Sequence, residues 1–189
     1  MQVPGYRIRE ELLRDDLWVV ARAERLAGGQ RVLLKAPLLP SPASIASLRR
    51  EHDLLASLDV EGVARPRGLE DTSGALVFDD TRAVPLRRIV AGRPLGLPAF
   101  LAVARRLSAA LAGIHRGGIV HRGLGPDSVF LEPGSERPLV LDFGAASRLP
   151  EEAAAPRPLR LPGDRLAYLA PEQTGRMNRV VDHRSDLYS

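Results

Sequence analysis

His121-Arg122-Gly123-Leu124-Gly125-Pro126-Asp127-Ser128-Val129-Phe130, followed by Leu141-Asp142-Phe143-Gly144 and then by Ala170-Pro171-Glu172, is the stretch on which the reading of this chain turns. The glycines and the proline of the first segment mark a loop, and the apolar run Val129-Phe130-Leu131 that follows reads as a short strand. A second run, Leu139-Val140-Leu141, ends on Asp142-x-Gly144, which taken alone is a turn after a strand. Each triplet recurs by chance in unrelated sequences. Their order and spacing carry the information.

Outward from this stretch, the secondary-structure signals change character along the chain. Tyr6-Arg7-Ile8, Leu17 to Ala21 and Val32 to Ala36 read as strands of a small antiparallel sheet, separated by a polar turn and by Gly28-Gly29-Gln30. After Pro40-Ser41-Pro42, apolar residues at Ile45, Leu48, Leu54, Leu55 and Leu58 predict a helix capped by Ser41 or Ser44. Strand-like pieces around Val63 to Leu69 and Ala75 to Phe78 lead through Asp79-Asp80-Thr81 to a linker, with a boundary near residue 80. From Pro98 to Gly117, Leu101, Val103, Leu107, Leu111 and Ile114 trace one helical face ended by Gly117-Gly118. The proline-rich stretch beyond residue 144 is longer than an idle loop.

Composition removes several classes of function. The 189 residues contain no cysteine, and His52, His115, His121 and His183 lack metal-ligand spacing, which argues against thiolate or imidazole metal sites. The N-terminus has no apolar signal core, and Arg105 and Arg106 interrupt the most apolar later stretch, so no membrane insertion and a cytoplasmic location are expected. Of 27 basic residues only Lys35 is lysine, and the arginines are scattered without interleaved aromatics, so no nucleic-acid partner is expected. In so arginine-biased a chain, a single lysine inside the apolar strand Arg31-Val32-Leu33-Leu34-Lys35-Ala36 points to a site that requires an ammonium.

Together, the His121 to Phe130 loop, Asp142-Phe143-Gly144 and Ala170-Pro171-Glu172, with Lys35 and Glu51 upstream and Asp186-Leu187-Tyr188-Ser189 downstream, resemble the protein-kinase family. The likeness is to the eukaryotic-like serine/threonine kinases of bacteria. Leu166 to Ser189 resembles the N-terminal kinase-like domain of multidomain proteins that also carry an ATPase module and a sensor histidine kinase. The resemblance implies an α+β, bilobal protein-kinase-like fold: an antiparallel-sheet small lobe over residues 1–80, and a mainly helical large lobe over 81–189 that is incomplete at its C-terminus. It also implies ATP and magnesium as cofactors, and other signalling domains or proteins as partners.

Residue by residue, the resemblance assigns Lys35 to the nucleotide phosphates, Glu51, sixteen residues on, as its ion-pair partner, and Asp142 to magnesium, with Gly144 permitting the turn. Asp79, Asp80 and Ser128 fall at further cofactor-binding positions, and His121 and Arg122 open the catalytic loop. The family's loop then reads His-Arg-Asp-Leu-Lys-Pro-x-Asn. This chain has Gly123 at the base position, Gly125 at the lysine position and Ser128 at the asparagine position. Asp127 is the only carboxylate near enough to substitute. Where a glycine-rich loop would cover the phosphates, Leu12-Leu13-Arg14-Asp15-Asp16-Leu17-Trp18-Val19 has no glycine, two repelling acids and Arg14 as compensation.

Between Asp142 and Glu172 the only hydroxyls are Ser147 and Tyr168, so a threonine phospho-switch onto Arg122 is not expected; Glu151 or Glu152 offers a constant negative charge instead. Glu172 is expected to lack the arginine that pairs with it in the family. The function implied is a catalytically impaired kinase-like module of a signalling protein, whose nucleotide binding is weak or absent. The alternatives are a serine/threonine kinase of low activity and a non-functional fragment of a kinase domain.

Overall fold

In the first 80 residues apolar side chains crowd both faces of the strands, the pattern of a sheet covered on two sides. The computed structural model describes residues 3–70, 72–149, 163–175, 177 and 179–189, and Glu151 and Glu152 lie outside them. Strands β1 (Tyr6–Arg14), β2 (Trp18–Arg25), β3 (Arg31–Pro37), β4 (Pro66–Leu69) and β5 (Leu76–Asp79) form one antiparallel sheet in the order β1-β2-β3-β5-β4. Because side chains alternate along a strand, Val19, Ala21, Ala23, Val32, Leu34, Ala36 and Val77 fill one face and Val20, Leu33, Leu76 and Phe78 the other. Lys35 opposes Val20 on β2 and Leu76 on β5, which puts it on the second face among apolar neighbours.

That second face is covered by helix α1 (Pro42–Ala56). A reciprocal capping box between Ser41 and Ser44 starts it, with Pro42 in its first turn. Leu48 and Leu55 are buried completely enough that truncating either to alanine costs about 2–5 kcal/mol. One buried cluster runs on from these residues to Ala110, Leu111, Ile114, Phe130, Val140 and Phe143, so the sheet and the elements beyond residue 80 share a core.

Beyond the sheet come β6 (Val84–Pro85), α2 (Leu86–Val90), α3 (Leu97–Arg116), β7 (Ile119–Val120), β8 (Val129–Leu131), β9 (Pro138–Val140), β10 (Ser147–Arg148) and α4 (Arg184–Tyr188). β8 pairs with both β6 and β9, and β7 with β10. By length and composition α3 is the one described helix apolar enough to cross a membrane; in this fold its Val103, Ala110, Leu111 and Ile114 are built into the core. Gly113 fixes where α3 sits, since a Cβ there would meet Val60 Cγ1 at 2.4 Å. The architecture is α+β, with a five-stranded antiparallel sheet followed by helices and short hairpins.

Candidate active site

The sheet, α1 and the β9 turn converge on one ammonium. Lys35 Nζ donates to Glu51 Oε2 and to Asp142 Oδ1, each at 2.5 Å, while Glu51 Oε1 accepts from the Phe143 N–H at 3.0 Å. Lys35 and Glu51 are buried, and the Asp142 side chain keeps 14% exposure. Burial works against the charge on Lys35, but the Asp142 and Glu51 carboxylates outweigh it and hold the ammonium above its ordinary pKa. Burial pushes the Glu51 carboxyl up; Lys35 opposes the shift and Asp142 adds to it. The indole of Trp18 covers the ammonium, with Nζ 5.4 Å from the ring.

Asp142 is held at φ 62°, a left-handed conformation that costs a non-glycine residue on the order of 1–3 kcal/mol and recurs at functional sites. Gly144 is needed for a different reason from the turn read in the sequence. Its φ is not positive, but a Cβ there would lie 3.2 Å from Lys35 Nζ and 3.4 Å from Glu51 Oε2. The glycine makes room for the ion pair.

The loop after β7 is positioned by its backbone. Asp186, fully enclosed at the start of α4, accepts from the His121 and Arg122 N–H groups at 2.8 Å each, and its carboxylate also meets His115 Nε2 at 2.9 Å. His121 is buried, with Nε2 3.0 Å from the Leu141 carbonyl and Nδ1 accepting from Gly123 N–H at 3.3 Å, which fits the neutral Nε2–H tautomer. Arg122 takes φ 63°, and its carbonyl accepts from Gln173. Gly123 leaves the base position without a side chain. Asp127, its possible substitute, is clamped by the Arg87 fork, Nε to Oδ1 and Nη2 to Oδ2 at 2.7 Å each. Ser128 Oγ accepts from Gly125 N–H at 2.9 Å and donates to the Gly125 carbonyl at 3.1 Å, so it closes its own turn.

Where the sequence suggested a loop over the phosphates, β1 runs on to Arg14 and turns tightly into β2. Asp15 Oδ1 accepts from the Leu17 and Trp18 N–H groups at 2.8 and 2.7 Å. A carboxylate of the chain itself thus takes the backbone donors that such a turn offers to an anion. Arg14 is gripped by Glu11. Asp79 and Asp80 are likewise engaged away from Lys35: Asp79 pairs with Arg67, and Asp80 stands 3.4 Å from Arg22. Arg22 also donates to the carbonyls of Thr81 and Ala83, and Arg88 bridges from α2 to Glu10 and the Glu11 carbonyl. Glu172, expected to lack the arginine that pairs with it in the family, accepts from Ser185 Oγ at 2.6 Å.

Sequence reasoning missed four participants. Asp15 was read only as a repelling charge, Trp18 only as part of a strand and of the loop over the phosphates, His115 only as a histidine without metal-ligand spacing, and Arg87 not at all. A two-residue Asp-x-Leu spacing before a strand is the Asx-turn signal that marks Asp15; nothing local marks the other three. As a magnesium site the residues fit in part: Asp142 offers one carboxylate, as such sites need at least, whereas Ser128 is spent on its turn. No cluster of three metal-ligating side chains occurs among the described residues.

No model of a known protein family matches the chain. Individual proteins do. Serine/threonine-protein kinase pkn2 of Myxococcus xanthus is 29% identical across 97% of this chain and 23% of its own length. Serine/threonine-protein kinase Pkn1 of the same organism is 31% identical across 98% of the chain and 27% of its length. Serine/threonine-protein kinase PkaB of Streptomyces coelicolor is 32% identical across 74% of the chain and 36% of its length. The chain therefore spans between just under a quarter and a little over a third of the length of these relatives.

Proposed function

The chain belongs to the eukaryotic-like serine/threonine protein kinases of bacteria, and within that family we propose that it is a catalytically impaired member acting as a regulatory module of a larger signalling protein. One observation carries this reading. The base position is Gly123, and the nearest replacement, Asp127, has both oxygens committed to Arg87. A general base contributes about 10²- to 10⁴-fold. With Gly125 and Ser128 at the neighbouring positions, the loop also lacks a cation and a metal-binding amide.

Nucleotide binding is weak in this proposal for two reasons. Asp15 already occupies the backbone donors of the β1–β2 turn. Lys35 is shared between two carboxylates, so a phosphate oxygen competes with Glu51 and Asp142 for its charge. A magnesium ion held at Asp142 would supply the positive charge that neutralises phosphate oxygens. Glu51 would then keep Lys35 aimed into the cleft.

Trp18 is the only tryptophan and lies over Lys35, so its fluorescence reports on this cleft directly. ATP titrated with and without magnesium is expected to shift the emission only at millimolar concentrations, with no phosphate transferred to the chain or to a generic protein acceptor. Micromolar binding accompanied by transfer that Asp142→Ala abolishes overturns the proposal. It would install a second reading, a slow kinase, which one observation favours: Lys35, Glu51 and Asp142 are assembled in a single site. Because phosphoryl transfer depends mainly on charge placement, such a site works without a dedicated base at reduced rate.

A further inference from the structure

The chain has one tryptophan and one lysine, and they stand together. Across the β2–β3 ladder Trp18 opposes Pro37 and Val20 opposes Lys35. Because side chains alternate along a strand, Trp18, Val20 and Lys35 share the sheet face that α1 covers. The indole is the diagonal neighbour of the lysine, a separation that an aromatic ring spans. The Lys35 side chain keeps 3% exposure, whereas Trp18 is itself partly exposed. The ring is therefore the outer layer over the ammonium.

The other walls around Nζ are fixed. Glu51 reaches it from α1 and is tied in turn to the Phe143 N–H at 3.0 Å. Asp142 reaches it from a backbone held at φ 62°, and the Gly144 backbone lies so near that a Cβ there would meet Nζ at 3.2 Å. Trp18 differs. Its backbone is pinned, the N–H donating to Asp15 Oδ1 at 2.7 Å and the carbonyl accepting from the Asp15 N–H at 3.0 Å. Its indole N–H makes no hydrogen bond among the described residues. Attraction between ring and cation and apolar contact with the core hold the indole in place. Neither fixes a direction as a hydrogen bond does, so the ring is free to change rotamer while β2 stays where it is.

We propose that Trp18 gates the cleft: its indole bars anionic oxygens from Lys35, and a polyphosphate group reaches the ammonium only when the ring has swung aside. A purely structural Trp18 would be an apolar residue at the edge of the core, and any side chain of similar bulk would serve. A ring laid on the one buried ammonium also separates that charge from solvent. The inference rests on the reading of this cleft as a weak nucleotide site and adds a cause of the weakness. An affinity measured against a mostly closed protein is reduced by the fraction that stands open, so a tenfold gain on removing the ring corresponds to an open fraction of about one tenth.

Because Lys35 is the only lysine, amine-directed reagents mark it and the N-terminal amine, and peptide mass spectrometry reads Lys35 by itself. The whole chain is treated with acetic anhydride and, separately, with the bulkier trinitrobenzenesulfonate. A change in basicity alters both rates alike, so the bulky-to-small ratio reports access. Trp18→Ala is expected to raise that ratio at least about tenfold, and Trp18→Phe, which keeps a ring over the ammonium, to leave it near the parent value. Trp18→Val, a good strand former, repeats the test if the alanine variant does not fold, and Leu55→Ala sets the level reached by destabilisation alone. Inorganic tripolyphosphate, titrated calorimetrically, is expected to bind Trp18→Ala at least about tenfold, or about 1.4 kcal/mol, more tightly than the parent and to protect Lys35 from both reagents. ATP with magnesium, titrated into the same proteins, separates this inference from the reading it rests on: an opened Lys35 that takes tripolyphosphate but not ATP keeps the gate and removes the nucleotide site. An unchanged ratio, a ratio matched by Leu55→Ala, or tripolyphosphate binding no tighter in Trp18→Ala than in the parent overturns the proposal.

Discussion

Lys35 donates to Asp142 at 2.5 Å while the same ammonium, at the same distance, serves Glu51. Two carboxylates and one cation in a buried site leave a net negative charge. The ammonium is therefore what makes the site tolerable, and each carboxylate is raised in energy by the other.

The first prediction follows from that imbalance. Lys35→Met is expected to destabilise the chain by about 3–5 kcal/mol, the cost of leaving a buried charge uncompensated. The Glu51 carboxyl is already raised above its ordinary pKa by burial. A carboxyl whose folded pKa is raised contributes stability at low pH and loses it as pH rises through that pKa. The deficit of Lys35→Met should accordingly be smaller at about pH 5 than at about pH 8, and Lys35→Met/Glu51→Gln should recover much of it. Urea unfolding of the three proteins at both pH values checks this; a deficit independent of pH would place the cost in lost packing instead.

The second prediction concerns the empty base position. Gly123 has no positive φ, so an aspartate there meets no backbone penalty, and at Gly125 a Cβ would sit 3.6 Å from Tyr168, an ordinary contact. Gly123→Asp/Gly125→Lys/Ser128→Asn should fold, and should raise phosphotransfer by about 10²-fold or more over the parent if the missing base is what limits it. The measurement is phosphate incorporation from labelled ATP, with Asp142→Ala added as the control. A folded triple variant with parental activity would locate the block at the β1–β2 turn, where Asp15 holds the donors.

How far the sequence could be read depends on whether each signal is local. The sheet and α1 were legible because alternation along β2 and β3 and the Ser41 cap are properties of neighbouring residues. Lys35 stood out through composition, as one ammonium among arginines. The extent of β1 was misjudged because Glu10 and Glu11 interrupt its apolar pattern: Glu10 is explained only by Arg22 and Arg88, both distant in sequence, and Glu11 by its pair with Arg14 three residues on. The clamp of Arg87 on Asp127 spans forty residues and leaves no trace in either local motif. Gly144 was assigned the right role of permitting geometry for the wrong reason, since the crowding that excludes a side chain comes from Lys35 and Glu51, both far away along the chain.

A third prediction tests the pinned segment 80–83. Arg22 is the only described donor to the Thr81 and Ala83 carbonyls through a side chain, and its own side chain is 19% exposed. Its contact with the exposed Glu10 contributes little; the two carbonyl bonds, made by a charged group, contribute about 1.5–3 kcal/mol each at most. Arg22→Ala should lower stability by about 2 kcal/mol and speed hydrogen exchange in peptides covering 79–86, with exchange in α3 unchanged. Uniform acceleration across both regions would mean that Arg22 supports the whole core and not this segment.

The last prediction concerns acid. Asp182 is held down to about 2 from an ordinary 3.8, chiefly by the hydrogen bond from the Arg184 side chain, with the Arg184 N–H adding a second. A carboxyl depressed in the folded state contributes stability above its unfolded pKa and loses it as pH falls toward the folded value. With its side chain 26% exposed, the contribution discounts to about 1–2 kcal/mol, fully present above about pH 4 and gone near pH 2. The effect reaches past one surface pair, because Asp182 holds the start of α4, and α4 carries the Asp186 carboxylate that fixes the backbone of His121 and Arg122. Asp182→Asn should therefore lower stability at neutral pH by this amount and flatten the acid limb, so that the two proteins converge as pH drops from about 4 to about 2. Chemical denaturation midpoints across that window decide it: curves that stay parallel would show that Arg184 contributes nothing to anchoring α4.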